Sequence, residues 1–175
     1  MRARFALAAL ALPLLAGTAH AQNATGTVSI DGSVAGRCSL SINSATISVG
    51  EMSLAADGKL NAAVINGQTR NLTGFCNGAA ANMTVQAQPL LNITAPGAPA
   101  AGFDNRVDYT ATATANAVNG TDSSVGALSD GTAVTIGQFT GNIAVTLSAA
   151  SSPASGILVA GTYQGQVLVT LKPVP

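Results

Sequence analysis

Apolar and polar residues alternate with a period of two along much of the chain, between clusters of Gly, Asn, Asp and Ser. The first clear case is the segment 27–34, which places Val28, Ile30, Gly32 and Val34 on one face and Thr, Ser and Asp residues on the other. Helical periodicity is hard to find. The pattern therefore predicts an all-β protein.

Further strands are predicted wherever the alternation recurs between turn residues. They are residues 40–49, 70–75, 83–88, 106–113, 133–136, 142–147 and 161–171. The intervening runs 95–101 and 116–131 are rich in Gly, Pro, Asn and Ser and are predicted to be loops. Several short strands separated by turn signals favour a β-sandwich or barrel.

The last predicted strand has the most regular pattern. Its inward face consists of Gly161, Tyr163, Gly165, Val167, Val169 and Leu171. Leu168 is the one apolar residue on the polar face. Pro173 is expected to end the strand, because proline cannot donate a hydrogen bond to a β-ladder.

Residues 1–21 have the order of a secretory signal peptide. Arg2 and Arg4 precede an apolar run at 5–17, and the small-x-small triplet Ala19-His20-Ala21 follows it. The run is shorter than the roughly 20 residues that a membrane-spanning helix needs. We therefore expect an exported mature chain that begins near Gln22 and does not insert into the membrane.

Removing the signal changes the charge inventory. The full chain has seven Lys and Arg, seven Asp and Glu, and one His, so the loss of Arg2, Arg4 and His20 leaves a mildly acidic mature chain without histidine. Histidine-based catalysis and histidine-ligated metal sites are thereby excluded. Nucleic-acid binding is disfavoured as well, because the few basic residues are scattered and only 3% of the chain is aromatic.

Cys38 and Cys76 are the two cysteines of the chain. An even cysteine count after a signal peptide favours one intrachain disulfide, since exported proteins meet oxidising conditions. A redox or metal-binding pair is the alternative, but there is no C-x-x-C spacing and no lysine or histidine nearby to activate a thiolate.

Three stretches, taken in order and spacing, resemble subunits of chaperone-usher pili, in particular the spore coat protein U-like domains of the archaic branch. They are ATGTVSIDGSVAGRCSL at 24–40, GFCNGAAANMTVQ at 74–86 and AGTYQGQVLVTLKP at 160–173. The resemblance covers nearly the whole mature chain, although residues 88–135 match in composition alone.

The resemblance implies an immunoglobulin-like, pilin-type sandwich, residues 35–175, that lacks one strand and exposes a hydrophobic groove. An extension at 22–34 would donate the missing strand to the next subunit, with Val28, Ile30 and Val34 in groove pockets and Gly32 at a close backbone approach. The strand 161–171 would form one wall of the groove, and the disulfide would join the first two strands. The implied partners are neighbouring subunits, a periplasmic chaperone and an outer-membrane usher, and the implied location is a cell-surface fibre with a role in adhesion or biofilm.

Other interpretations remain open at this stage. Residues 27–34 are also compatible with the first strand of an ordinary closed sandwich, in a secreted adhesin or binding module that does not polymerise. Carboxylates and amides at Asp104, Asn105, Asp108, Asp122 and Asp130 are conceivable calcium ligands or a hydrolase pair. They lack the spacing of known calcium loops, and we expect solvated turn residues there, with no catalytic residue, metal or cofactor.

Overall fold

The computed structural model describes residues 23–174, and its chain divides into a segment that ends at Ser33 and a body that begins at Val34. The signal peptide predicted at 1–21, with Gln22, lies outside the described residues. Residues 23–37 contain neither helix nor strand, and their side chains are exposed. The alternative in which 27–34 is the first strand of a closed sandwich is therefore wrong for this structure.

The body is all-β, with one short 3-10 turn at Ala62–Val64 among its described residues. Its strands are β1 (Cys38–Ile42), β2 (Thr69–Cys76), β3 (Ala80–Asn92), β4 (Phe103–Asp104), β5 (Arg106–Ala115), β6 (Val118–Ser123), β7 (Val134–Thr135), β8 (Phe139–Ser151), β9 (Ile157–Leu158) and β10 (Tyr163–Val174).

Eight of these strands form one antiparallel sheet that folds over and nearly closes on itself. The main path runs β1-β2-β8-β5-β3-β10, with β6 beside β5 and β7 beside β3. The sheet bends at β5, which changes its pairing partner along its length. Its first residues pair with β3 through Leu90–Val107 and Leu91–Arg106, and its later residues pair with β6. Strands that change partners in this way form the corners of sandwiches. β4 and β9 make a separate parallel pair.

The core lies between the two layers that this fold creates. Alternation supplies its side chains, since β5 buries Val107, Tyr109, Ala111, Ala113 and Ala115, and its threonines point outward. β3 and β8 contribute their own alternating rows, which include Met83, Val85, Ile143, Val145 and Leu147. Much of this core is alanine and valine, which explains how a fold of this size forms with so few aromatic residues.

The strands predicted at 70–75, 83–88, 106–113, 133–136, 142–147 and 161–171 all correspond to strands of the structure, and three differences stand out. Residues 43–49, predicted to continue the first strand, are not a strand, because β1 ends at Ile42. Residues 118–123, predicted to be loop, form β6, which is joined to β5 by a two-residue turn with positive φ at Asn116 and Ala117. β10 continues through Pro173 to Val174, which an edge strand tolerates.

A bulge in β3 determines the shape of β10. The register between these strands shifts where Pro89 and Leu90 lie opposite Gly165, so that proline is accommodated in a strand that has neighbours on both sides. A Cβ atom at Gly165 would lie 2.8 Å from the Pro89 carbonyl oxygen and 2.9 Å from that of Gln88. Glycine at this position is therefore required by backbone proximity.

Replacing Gly165 with alanine is expected to lower the free energy of unfolding by about 1–3 kcal/mol, because backbone atoms must move to admit the methyl group. Urea unfolding followed by circular dichroism measures the change. Gly97→Ala is the matched control, since no heavy atom lies within 4 Å of the added Cβ there. Equal stability of the two variants would contradict the steric argument.

Candidate functional site

The outer edge of β10 is open. Within residues 23–174, β10 pairs with β3 and with no other strand, although it is 12 residues long. Unpaired N–H and C=O groups along such an edge are able to accept another strand. Its inward side chains Tyr163, Val167, Val169 and Leu171 are half-buried, whereas their partners on β3 are buried.

Residues 43–51, which follow β1, lie across the groove from the open edge of β10 and form its second wall. Residues 43–51 form no strand, but Ile47 and Val49 are half-buried against the core. The Arg70 Nε group donates a hydrogen bond of 2.9 Å to the Thr46 carbonyl, which joins this wall to the start of β2. Residues 43–51 are therefore held by side-chain contacts and form no β-ladder with a neighbouring strand.

Between the two walls lies a groove with a volume of about 980 Å³. Apolar side chains from several strands form its floor: Leu40, Leu72, Leu90, Tyr109, Val145, Leu147 and Leu158. Glu51 and Arg70 are the charged residues among those that line it. A groove with an apolar floor and an unpaired β-edge has the features that β-strand addition requires.

Most of the residues predicted to form the groove strand do line the groove in the structure. Tyr163, Gly165, Val167 and Val169 line the groove, and Gly161 lines it just before β10 begins. Leu171 belongs to the same face of β10 but lies outside the groove lining. Of the predicted donor residues, Val28, Ile30 and Val34 have exposed fractions of 86%, 93% and 87%.

Tyr109 is the groove residue that the sequence pattern did not single out. Its hydroxyl donates to the Gln88 carbonyl at 2.6 Å and lies 3.0 Å from the Gln166 carbonyl, so it joins β3 to β10 beside the bulge. Burial raises the pKa of Tyr109 to about 12. Its ring belongs to the buried row of β5, and nothing in the sequence indicated the partners of its hydroxyl.

Stability is expected to fall at alkaline pH because of Tyr109. Its pKa is higher in the folded than in the unfolded chain, so its contribution is complete below about pH 10 and is lost as the pH rises toward 12. Unfolding free energies measured from pH 8 to 11.5 should decline above pH 10, and less steeply in Tyr109→Phe. Burial also raises the pKa of Tyr163, so Tyr163→Phe is the comparison variant and should flatten the profile less than Tyr109→Phe does. Parallel pH profiles for Tyr109→Phe and the unaltered protein would refute this assignment.

The disulfide between Cys38 and Cys76 is present, as predicted. The two cysteines are directly opposite each other in β1 and β2, with their Cα atoms 4.2 Å apart. β1 has one strand neighbour within the described residues, and the bond fixes it to that neighbour. A disulfide is consistent with an exported protein.

The acidic residues considered above as ligands bond to protein groups instead. The buried Asp104 carboxylate accepts from the backbone N–H of Ala154 and Gly156, and the buried Asp108 pairs with Arg106 at 2.8 Å. The expectation of solvated turn carboxylates is therefore wrong for both.

Three further polar residues also have protein partners. Asp122 accepts from the Ala87 N–H, Asp130 accepts from Gln86, and Asn105 donates to the Gly97 carbonyl. Within residues 23–174, no group of three or more His, Cys, Asp or Glu side chains is arranged to hold a metal ion.

No helix within residues 23–174 has the length and hydropathy needed to cross a membrane. Comparison of the chain with protein-family models, with curated proteins and with solved structures found no match. The fold is all-β, with one sheet that nearly closes into a barrel or sandwich and leaves a groove open at its edge.

Proposed function

We propose that the protein is a structural subunit of a surface fibre and that it polymerises by strand exchange. The N-terminal segment of one copy would enter the groove of the next copy and pair with the open edge of β10. The observation that carries this proposal is the groove itself, with its apolar floor and its unpaired edge strand.

Two further features support the proposal. The floor side chains are buried or half-buried, and an added strand with apolar side chains would bury the apolar area that remains accessible, at about 25 cal/mol per Å². The segment 27–34 has the alternating pattern of such a strand, and its apolar side chains are exposed. The proposal requires no catalytic step. Export through the periplasm with help from a chaperone and an usher belongs to it.

The first test is a single charge placed on either face of the proposed donor segment. Ile30→Asp is expected to reduce SDS-resistant multimers of the mature chain at least tenfold, because a carboxylate would enter an apolar groove. Ser29→Asp, which adds the same charge to the polar face, is expected to leave the multimers unchanged. Unheated SDS gels of both purified variants measure the difference.

The outcomes are distinct. Loss of multimers in Ile30→Asp alone supports strand exchange through the alternating segment. Equal multimer levels in both variants, or a mature chain that stays monomeric at every concentration, would overturn the proposal. A stable monomer would favour the self-contained binding module instead.

A further inference from the structure

Asn77, the residue that follows β2, anchors the residues that lead into β1. Its backbone N–H donates to the Arg37 carbonyl at 3.0 Å, and its side-chain Oδ1 accepts from the Arg37 N–H at 2.5 Å. Its Nδ2 donates to the Ala35 carbonyl at 3.2 Å. Residues 35–37 belong to no strand and are exposed, so these three hydrogen bonds fix them beside the end of β2.

Asn77 is followed by Gly78, and these two residues can react with each other. An asparagine before a glycine deamidates without an enzyme, because glycine has no Cβ to hinder the approach of its backbone nitrogen to the side-chain carbonyl carbon. The chain contains two other Asn-Gly pairs, at 66–67 and 119–120. The three pairs differ in their surroundings.

The fold holds the glycines of the other two pairs in place. The Gly67 N–H donates to the Leu147 carbonyl at 2.8 Å. Gly120 is buried in β6, directly opposite Ala113 of β5. A backbone nitrogen that is held in a turn or a ladder cannot approach the preceding side chain unless the local structure opens. Both pairs are therefore protected in the folded protein.

Gly78 lies in the connection between β2 and β3 and is held less firmly. Within residues 23–174, its N–H has no backbone hydrogen-bond acceptor. The Asn77 side chain is exposed, and its partners at 35–37 lie outside the sheet. Separation of residues 35–37 from Asn77 frees the amide without the loss of any strand pairing, so it needs less free energy than opening a ladder.

We infer that Asn77 is a site of spontaneous deamidation and that the reaction releases residues 35–37 from the end of β2. The Gly78 nitrogen loses its proton to hydroxide and bonds to Cγ of Asn77. The Cγ–Nδ2 bond breaks, and Nδ2 leaves as ammonia with a proton from water. Water then opens the five-membered succinimide. Hydrolysis at Cγ gives aspartate, and hydrolysis at the main-chain carbonyl carbon gives isoaspartate.

Both products weaken the anchor. An aspartate keeps the acceptor for the Arg37 N–H but has no Nδ2 donor, so a carboxylate oxygen faces the Ala35 carbonyl oxygen and the two repel. An isoaspartate adds one carbon to the main chain directly after Cys76 and displaces the acceptor. We expect the strands to stay paired in both products, because Asn77 belongs to none of them.

Incubation of the folded mature chain in mildly alkaline buffer tests the site. Peptide mass spectrometry distinguishes the amide from the acid at each pair, and labelling by protein isoaspartyl methyltransferase detects isoaspartate. Asn77 is expected to deamidate at least about tenfold faster than Asn66 or Asn119, because those two need the fold to open. In urea, with the disulfide reduced, the three rates should converge. Equal rates in the folded chain, or a faster reaction at either other pair, would overturn the assignment.

Trypsin measures the release of residues 35–37, because it cuts the chain after Arg37. In the monomeric fraction, Asn77→Asp is expected to be cut there at least about threefold faster than the unaltered chain. Asn66→Asp is the matched control, since it adds the same charge at an exposed position and keeps the acceptor for the Ala150 N–H. It should be cut at the unaltered rate. Equal cutting of all three would overturn the release of the anchor. Neither measurement requires multimers, so both outcomes are independent of the proposed function.

Discussion

Removing the disulfide, by replacing both Cys38 and Cys76 with alanine, is expected to lower the free energy of unfolding by about 4 kcal/mol. The bond joins residues 38 positions apart, and without it the unfolded chain regains the freedom of that loop. The same change releases β1, which has five residues and β2 as its one strand neighbour in the described chain. Both effects act in the same direction.

Urea unfolding of the monomeric mature chain measures this loss. Far-ultraviolet circular dichroism is the appropriate probe, because the chain has no tryptophan. The unaltered protein with its disulfide chemically reduced is the matched control and should lose a similar amount of stability. A loss below about 1 kcal/mol in both samples would contradict the expectation that the loop constraint dominates.

Hydrogen exchange tests whether the loss of the disulfide also releases β1 and the residues that follow it. The wall at residues 43–51 follows directly after β1 and is joined to β2 through Arg70. We expect faster exchange of its backbone amides in the double-alanine variant than in the oxidised protein, since local opening follows the loss of nearby constraints. The disulfide thus links the stability of the first strand to the shape of the groove.

Alternation predicted strands well where one face packs against the core and a neighbouring strand supplies hydrogen bonds. β5 and β8 were found for this reason, since their inward rows are complete and apolar. The same reasoning failed at 43–49, where Ile47 and Val49 alternate but no neighbouring strand supplies hydrogen bonds. A one-dimensional pattern records which side chains prefer burial, but it does not record whether a partner strand is present.

Turn chemistry explains the missed hairpin. β5 and β6 are joined by Asn116 and Ala117, with φ of 50° and 61°. Two-residue hairpins usually show Asn-Gly or Asp-Gly, because glycine adopts positive φ without strain. Because alanine occupies the second position, the sequence lacks the usual hairpin signal. The segment 116–131 was therefore predicted to be one long loop.

The candidate site was predictable in part. The inward face of β10 could be derived from its pattern, and the structure places Tyr163, Gly165, Val167 and Val169 along the groove. The bulge opposite Gly165 could not be derived, since the register of β3 against β10 depends on contacts between segments far apart in sequence. The requirement for glycine at position 165 therefore follows from the fold and not from the local sequence.

Asn92→Ala is expected to lower the free energy of unfolding by about 3 kcal/mol or more, because the change removes a hydrogen-bond partner from four backbone groups. The Val159 carbonyl keeps the Tyr163 hydroxyl as a second partner, and the other three groups lose the amide as their side-chain partner. The buried amide oxygen accepts from the N–H of Thr94 at 3.0 Å and of Ala95 at 2.9 Å. The amide nitrogen donates to the carbonyls of Val159 at 3.0 Å and Ala160 at 3.2 Å. One side chain thus joins the loop after β3 to the segment that leads into β10.

Two further variants separate hydrogen bonding from packing at this position. Asn92→Asp keeps the acceptor but loses both donors, and its buried charge faces two carbonyl groups, so at neutral pH we expect a loss at least as large as that of alanine. Asn71→Ala, at an exposed position of β2, should change stability by less than about 0.5 kcal/mol.

The position of Asn92 connects this stability effect to the groove. The segment that it holds, residues 159–162, lines the groove just before β10, and Gly161 approaches the amide so closely that a Cβ there would lie 2.5 Å from its oxygen. Releasing this segment should therefore also free the start of the strand-accepting edge. Asn92→Ala measured at 10 °C, where a destabilised body stays folded, is expected to form fewer SDS-resistant multimers than Asn71→Ala. Equal multimer levels, together with the expected stability loss, would show that Asn92 supports the fold without shaping the groove.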